Sequence, residues 1–177
     1  LLLLPNEDIK VYEILCDKIN TRYGLIEERL ISSFENNPDD YTQWTRLFKY
    51  NSKYILSKYV LYCRTNNSIP DYSESNSVSS ITESIESIED ISLLDLLFEL
   101  LVVLHNKEFK DNKFFGISNV LYKVLRKMMI ENYDLISNEL SNLIRKHNDN
   151  IDICRYCNNL LYDGEMQNNQ KYESAYT

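Results

Sequence analysis

Glycine and proline are scarce, three of each in 177 residues. Sandwiches, barrels and α/β folds need turn signals every ~8–12 residues, so this scarcity leans against them and toward helices. Apolar runs are also short. None approaches the ~18 residues of a membrane span; the longest, 93–104, is broken by Asp95 and Glu99, and Leu1 to Leu4 is too short for the core of a signal peptide. A soluble protein of the cytoplasm is the expectation. Because the sequence opens on Leu1 rather than Met, further sequence upstream is expected too.

Basic residues are absent between Arg64 and Lys107, a stretch holding Asp71, Glu74, Glu83, Glu86, Glu89, Asp90, Asp95 and Glu99. Those eight carboxylates account for the whole formal charge of −8, leaving the rest of the chain near neutral. A duplex-binding surface needs clustered Lys and Arg to displace counterions, so nucleic acid is not an expected ligand. Gly-rich phosphate loops, nucleophile elbows and HExxH are missing as well. Carboxylates abound, but none forms an isolated pair in an apolar face, the setting that raises a pKa for acid–base work. No enzyme and no cofactor are expected.

What is present is helical periodicity. Asn6 caps a first face of Val11, Leu15 and Ile19, which Gly24 breaks before a shorter face of Ile26, Leu30, Ile31 and Phe34. After the loop around Pro38, one long helix is predicted over 41–63, with a stripe of Trp44, Leu47, Phe48, Tyr54, Ile55, Tyr59 and Tyr62. Residues 65–80, rich in Ser and Asn, are expected to be a mobile loop. Ile81, Ile85, Ile88 and Ile91 then keep helical spacing as a loose lead-in. Residues 93–105 are apolar nearly all round, as befits the centre of a bundle. Further faces run through Val120 to Met129 and through Leu135 to Ile144, and a last helix is predicted over 151–162. The expected architecture is an all-α solenoid or bundle of about six to eight antiparallel helices: one domain over 1–162, with a flexible acidic Ser-rich insertion at about 65–90 and a polar tail over 163–177.

Several constellations invite a functional reading. Cys154-Arg155-Tyr156-Cys157 is a CxxC whose sulfurs share a helix face, fit for a redox pair or half a zinc site; without a second knuckle, two packed thiols fit it better and no metal is expected. Four cysteines, with nothing that marks secretion, are expected to stay reduced. His105 and His147 each fall at a predicted helix end, where an imidazole suits the negative dipole terminus. Two LxxLL strings, 93–97 and 97–101, sit inside the core helix. Ser80 and Ser87 each precede an acid by three, the spacing of both an acid-directed phosphorylation site and a capping box. Fourteen tyrosines supply boundary side chains, and Trp44, Phe48, Tyr59 and Tyr62 are the candidate lining of a partner groove.

The order of strings in the second half resembles the later helices of the ANTH domain of clathrin-assembly adaptors. The strings are Leu93-Leu94-Asp95-Leu96-Leu97-Phe98-Glu99-Leu100-Leu101, Val120-Leu121-Tyr122-Lys123-Val124-Leu125-Arg126-Lys127-Met128, the segment from Asp134 to Ile144, and Ile151-Asp152-Ile153-Cys154-Arg155-Tyr156-Cys157. The tyrosine-rich stretch from Tyr50 to Arg64 fits the same pattern, which spans about 130 residues in all. The resemblance implies a helical adaptor in clathrin-mediated membrane traffic that docks a partner helix or short peptide. The family's lysine-rich phosphoinositide site has no counterpart here, so a membrane contact would fall to residues upstream of Leu1. Residues 93–146 also resemble the N-terminal helical domain of transcription elongation factors, and the Asn-, Ile- and Tyr-rich helices resemble poxviral Bcl-2-like proteins. Either implies a groove-forming module for short linear motifs or helices of a partner.

Overall fold

Among the described residues, the segments whose apolar side chains recur at three and four are helical. The computed structural model describes residues 11, 14–15, 28–29, 31–36, 42–70, 75–109, 111 and 114–176, and no strand occurs among them. Residues 31–36 are helical. Seven helices follow: α1 (Thr42–Tyr50), α2 (Ser52–Asn66), α3 (Ser75–Glu86), α4 (Leu94–Leu104), α5 (Phe114–Met129), α6 (Tyr133–Lys146) and α7 (Ile151–Tyr176), with a 3-10 turn at Ile91–Leu93 leading into α4. The fold is an all-α helical bundle. No helix among the described residues is long and apolar enough to cross a membrane. Most of the two faces predicted before Pro38 lies outside the described residues.

The helix predicted over 41–63 is two helices. Asn51 leaves helical geometry, and its side chain accepts the Tyr54 N–H at 3.0 Å, capping α2. Asparagine competes with the helix by bonding neighbouring backbone, which makes it a better cap than an interior residue. The break lets α1 fold against α2 and α3. α2 ends at Asn67, whose φ of 49° lies in the left-handed region that asparagine tolerates.

α4 is the centre. Leu94, Leu97, Phe98, Leu100, Leu101, Val103 and Leu104 are all buried, and only Asp95 and Glu99 mark a narrow wet stripe. α2 packs along one side of it and α5 along another. The 65–90 region corrects the expectation of a flexible insertion. Residues 71–74 lie outside the described ones, but Ile69 and Pro70 are buried, and α3 packs on α5 and α1. Ile81, Ile85 and Ile88 are buried in the core. Burying an isoleucine contributes roughly 1.5–3 kcal/mol, so Ile81 and Ile85 within α3 and Ile88 just past its end fasten this segment to the core. At the corner after α3, Lys127 donates to Glu89 at 2.9 Å.

The tail is the second correction. α7 is 26 residues long, about 39 Å at 1.5 Å per residue, and so carries the helix well past 162. Gly164 is buried because Met129 lies directly over it; a Cβ there would overlap the Met129 Cε. Tyr122 Oη donates to the Asp163 carboxylate, and Lys171 Nζ lies 3.5 Å from the Ile130 carbonyl. These contacts hold the later turns of α7 against the α5–α6 junction.

Candidate functional site

The four aromatics expected to line a groove do not make one. Trp44 and Tyr59 are each 1% exposed and Phe48 9%; Tyr62 is half-buried. Folding α1 onto α2 at Asn51 turns the stripe inward, where Trp44 packs edge-on between Phe34 (centroids 4.7 Å apart) and Tyr59 (5.9 Å). The cluster is core. The Trp44 indole N–H is buried without a hydrogen-bond partner among the described residues, a loss of roughly 1–3 kcal/mol.

The LxxLL strings point inward too, since Leu93, Leu94, Leu97, Leu100 and Leu101 are buried. Ser87 lies just past the end of α3 with its hydroxyl exposed and donating back to the Ser84 carbonyl at 2.7 Å. It is therefore no capping box; the following turn is capped by Asp90, which accepts from Ser92 N at 2.9 Å. Ser80 lies within α3, and its side chain is outside the described ones.

Cys157 and Cys63 are buried, and burial pushes both thiols up to about 12. Cys154 Sγ sits 3.4 Å from the His147 carbonyl. Cys63 and Cys157 are therefore protonated and behave as small apolar groups. Among the described residues no group of three His, Cys, Asp or Glu side chains is placed to hold a metal ion.

The open concavity lies elsewhere, between the end of α4, the start of α5 and the first turns of α7. It has a volume of about 720 Å³. Its base is a chain of polar and aromatic groups joining three helices. His105 ends α4 with its ring held at 2.8 Å, Nδ1 to the Leu101 carbonyl, so Nδ1 carries the proton and donates. Burial pushes this imidazole below its ordinary value, which leaves it neutral at pH 7. Asn150 donates from Nδ2 to the His105 carbonyl (3.0 Å), while its Oδ1 accepts from Asp152 N (3.1 Å) and Ile153 N (3.2 Å). One side chain thus caps α7 and ties it to α4. Tyr156 packs tilted against His105 (centroids 4.7 Å apart) and edge-on against Tyr122 (5.4 Å) and donates its hydroxyl to the Ser118 carbonyl at 3.0 Å. Burial pushes both phenols well above the usual tyrosine range, Tyr122 further through its bond to Asp163.

The rim is different in character. Phe115 stands 71% exposed beside it. Lys107 and Arg155 are exposed, and neither joins an ion pair among the described residues. Asp111 is turned away toward α2, accepting the Ile69 N–H at 2.8 Å. Asp152 sits in the first turn of α7, where the helix dipole favours a negative charge.

A second, smaller trough of about 480 Å³ runs over the outer face of α4. The Arg64–Glu99 pair (3.5 Å) closes one side of it, and α6 the other.

None of the groove residues was singled out for binding by sequence, although Cys154-Arg155-Tyr156-Cys157 drew notice for its sulfurs. The signal that was there is Asn150-x-Asp152 ahead of an apolar turn, a helix start; what it tethers is invisible without the fold. Compared with known proteins, the chain matches no family model, and neither a curated protein nor a solved structure is similar to it.

Proposed function

We propose that this chain is a non-catalytic helical interaction module that receives a segment of a partner protein in the groove between the end of α4 and α7. The observation that carries the reading is Phe115, a large apolar ring at 71% exposure on the lip of a concavity whose base is rigidly bonded. Exposed aromatics beside preformed concavities are the usual anchors of peptide recognition. The base groups bond to one another and to backbone, so they shape the groove and are not poised for proton transfer.

The test is peptide display against the folded chain, followed by affinities for the wild type and for Phe115→Ala, with far-UV ellipticity as the check on folding. A loss of about tenfold or more, as for an interface anchor, is expected in the variant. Equal affinity for both proteins, or no peptide selected at all, overturns the reading.

Membrane traffic is a narrower form of the same proposal. It rests on the resemblance to ANTH adaptors, and the succession of an apolar α4, amphipathic α5 and α6 and a closing α7 supports it. Flotation of the chain with phosphoinositide vesicles tests that form. An adaptor of this type is expected to float with them, and equal recovery with neutral vesicles rejects it.

A further inference from the structure

We propose that Ser87 is phosphorylated by an acid-directed protein serine kinase, and that the phosphate loosens the end of α3. The site shares no residue with the groove and stands independently of the peptide-binding reading. An acid three residues after a serine fits both a capping box and a phosphorylation site. Ser87 follows α3, and the next turn is capped by Asp90 instead, so only the second role is left to it. Its side chain is exposed, and its hydroxyl donates to the Ser84 carbonyl at 2.7 Å, a bond that leaves the oxygen's lone pairs for attack. The Ile88 N–H closes the helix on the Ile85 carbonyl (3.1 Å), and the chain then runs through an extended Asp90 (φ −74°, ψ 112°). Glu86, Glu89 and Asp90 surround the serine and are all exposed. The Lys127 ammonium holds Glu89 below the ordinary carboxylate range, and the Ser92 N–H does the same for Asp90, so the acids are ionised, as a basic kinase cleft requires. Kinases that select basic neighbours find none, since no Lys or Arg occurs between Arg64 and Lys107; those that need proline after the serine meet Ile88. Ser80 and its acid, Glu83, are both wound into α3.

In the reaction, Ser87 Oγ attacks the γ-phosphorus of ATP. The new Oγ–P bond replaces the bond from that phosphorus to the β–γ bridging oxygen, ADP leaves, and the hydroxyl proton passes to the kinase's catalytic base. The product places about two negative charges at the negative end of the α3 dipole, among three carboxylates, and removes the hydroxyl's bond to Ser84. Lys127, already on Glu89 at 2.9 Å, offsets only part of that charge. The test treats the full, folded chain with an acid-directed serine kinase and labelled ATP, followed by peptide mapping. Phosphate at Ser87 is expected. Asp90→Asn removes the acid while keeping a cap of equal quality, and should lower kcat/KM for phosphorylation by about tenfold, whereas Asp90→Glu retains most of it. The phosphorylated chain should unfold at lower urea than the unmodified one, with the gap narrowing in added salt. Label on other residues, label taken up only after denaturation, or indifference to Asp90→Asn overturns the site. An unchanged or raised midpoint overturns the loosening.

Discussion

Replacing Asn150 with alanine should cost about 2 kcal/mol, although the side chain is only half-buried. Its Oδ1 accepts two of the free N–H groups at the start of α7, and losing a cap of this kind costs about 1 kcal/mol. Its Nδ2 also holds the His105 carbonyl, one of the acceptors that a helix end leaves without an intrahelical partner. Removing that donor adds about 0.5–1.5 kcal/mol. In urea unfolding followed by far-UV ellipticity, a slope of roughly 2 kcal/mol per molar converts the sum into a midpoint lowered by about 1 M. Asn150→Ser separates the two parts, since serine caps well but is too short to reach across to α4; about half the loss should return. A shift under 0.5 kcal/mol for alanine, or serine as damaging as alanine, would refute the idea that one side chain joins α4 to α7.

Ile85→Ala should destabilise the protein by about 2–5 kcal/mol in the same titration, whereas a loose insertion would register almost nothing. Gly164→Ala gains up to about 1 kcal/mol of helix propensity but overlaps the buried Met129, and overpacking typically costs about 1–3 kcal/mol. A net loss is expected, and it should shrink or reverse in a Met129→Ala background; additive effects would mean the two do not touch. His105 has its pKa lowered by burial from 6.5, so below pH 6.5 the unfolded chain binds the proton more readily than the folded one. Its contribution is therefore complete above pH 6.5 and lost as the pH falls toward the lowered value. Midpoints measured from pH 7.5 down to 5 should show a drop that His105→Asn lessens.

The helices were legible where a whole apolar face had to be buried. α4 announces itself through its lack of a polar stripe, and α5 and α6 through their spacing. Sequence reading failed where one side chain decides. Asn51 looks like any polar residue inside 41–63, yet as a cap it ends one helix and starts another, sending Trp44 and Tyr59 inward. The polar residues of 163–177 read as a tail because the sequence does not reveal that Met129 packs on Gly164 and Tyr122 bonds to Asp163. Ser and Asn over 65–80 read as a loop and Ile81, Ile85, Ile88 and Ile91 as no more than a loose lead-in, whereas the fold buries the first three of these isoleucines. The groove was least legible, because Phe115, Lys107 and Arg155 come from separate segments that only the packing of α4, α5 and α7 brings together.

Trp44 is the one tryptophan in the chain, sealed among rings at the end of the molecule where α1 meets α2 and α3. Its emission is thus a built-in gauge of that end alone, blue-shifted while the packing holds and red-shifted once water enters. Ellipticity is dominated by the longer helices, α7 above all. Overlaying the two melting curves reports whether the bundle comes apart as one cooperative unit or sheds its early helices first.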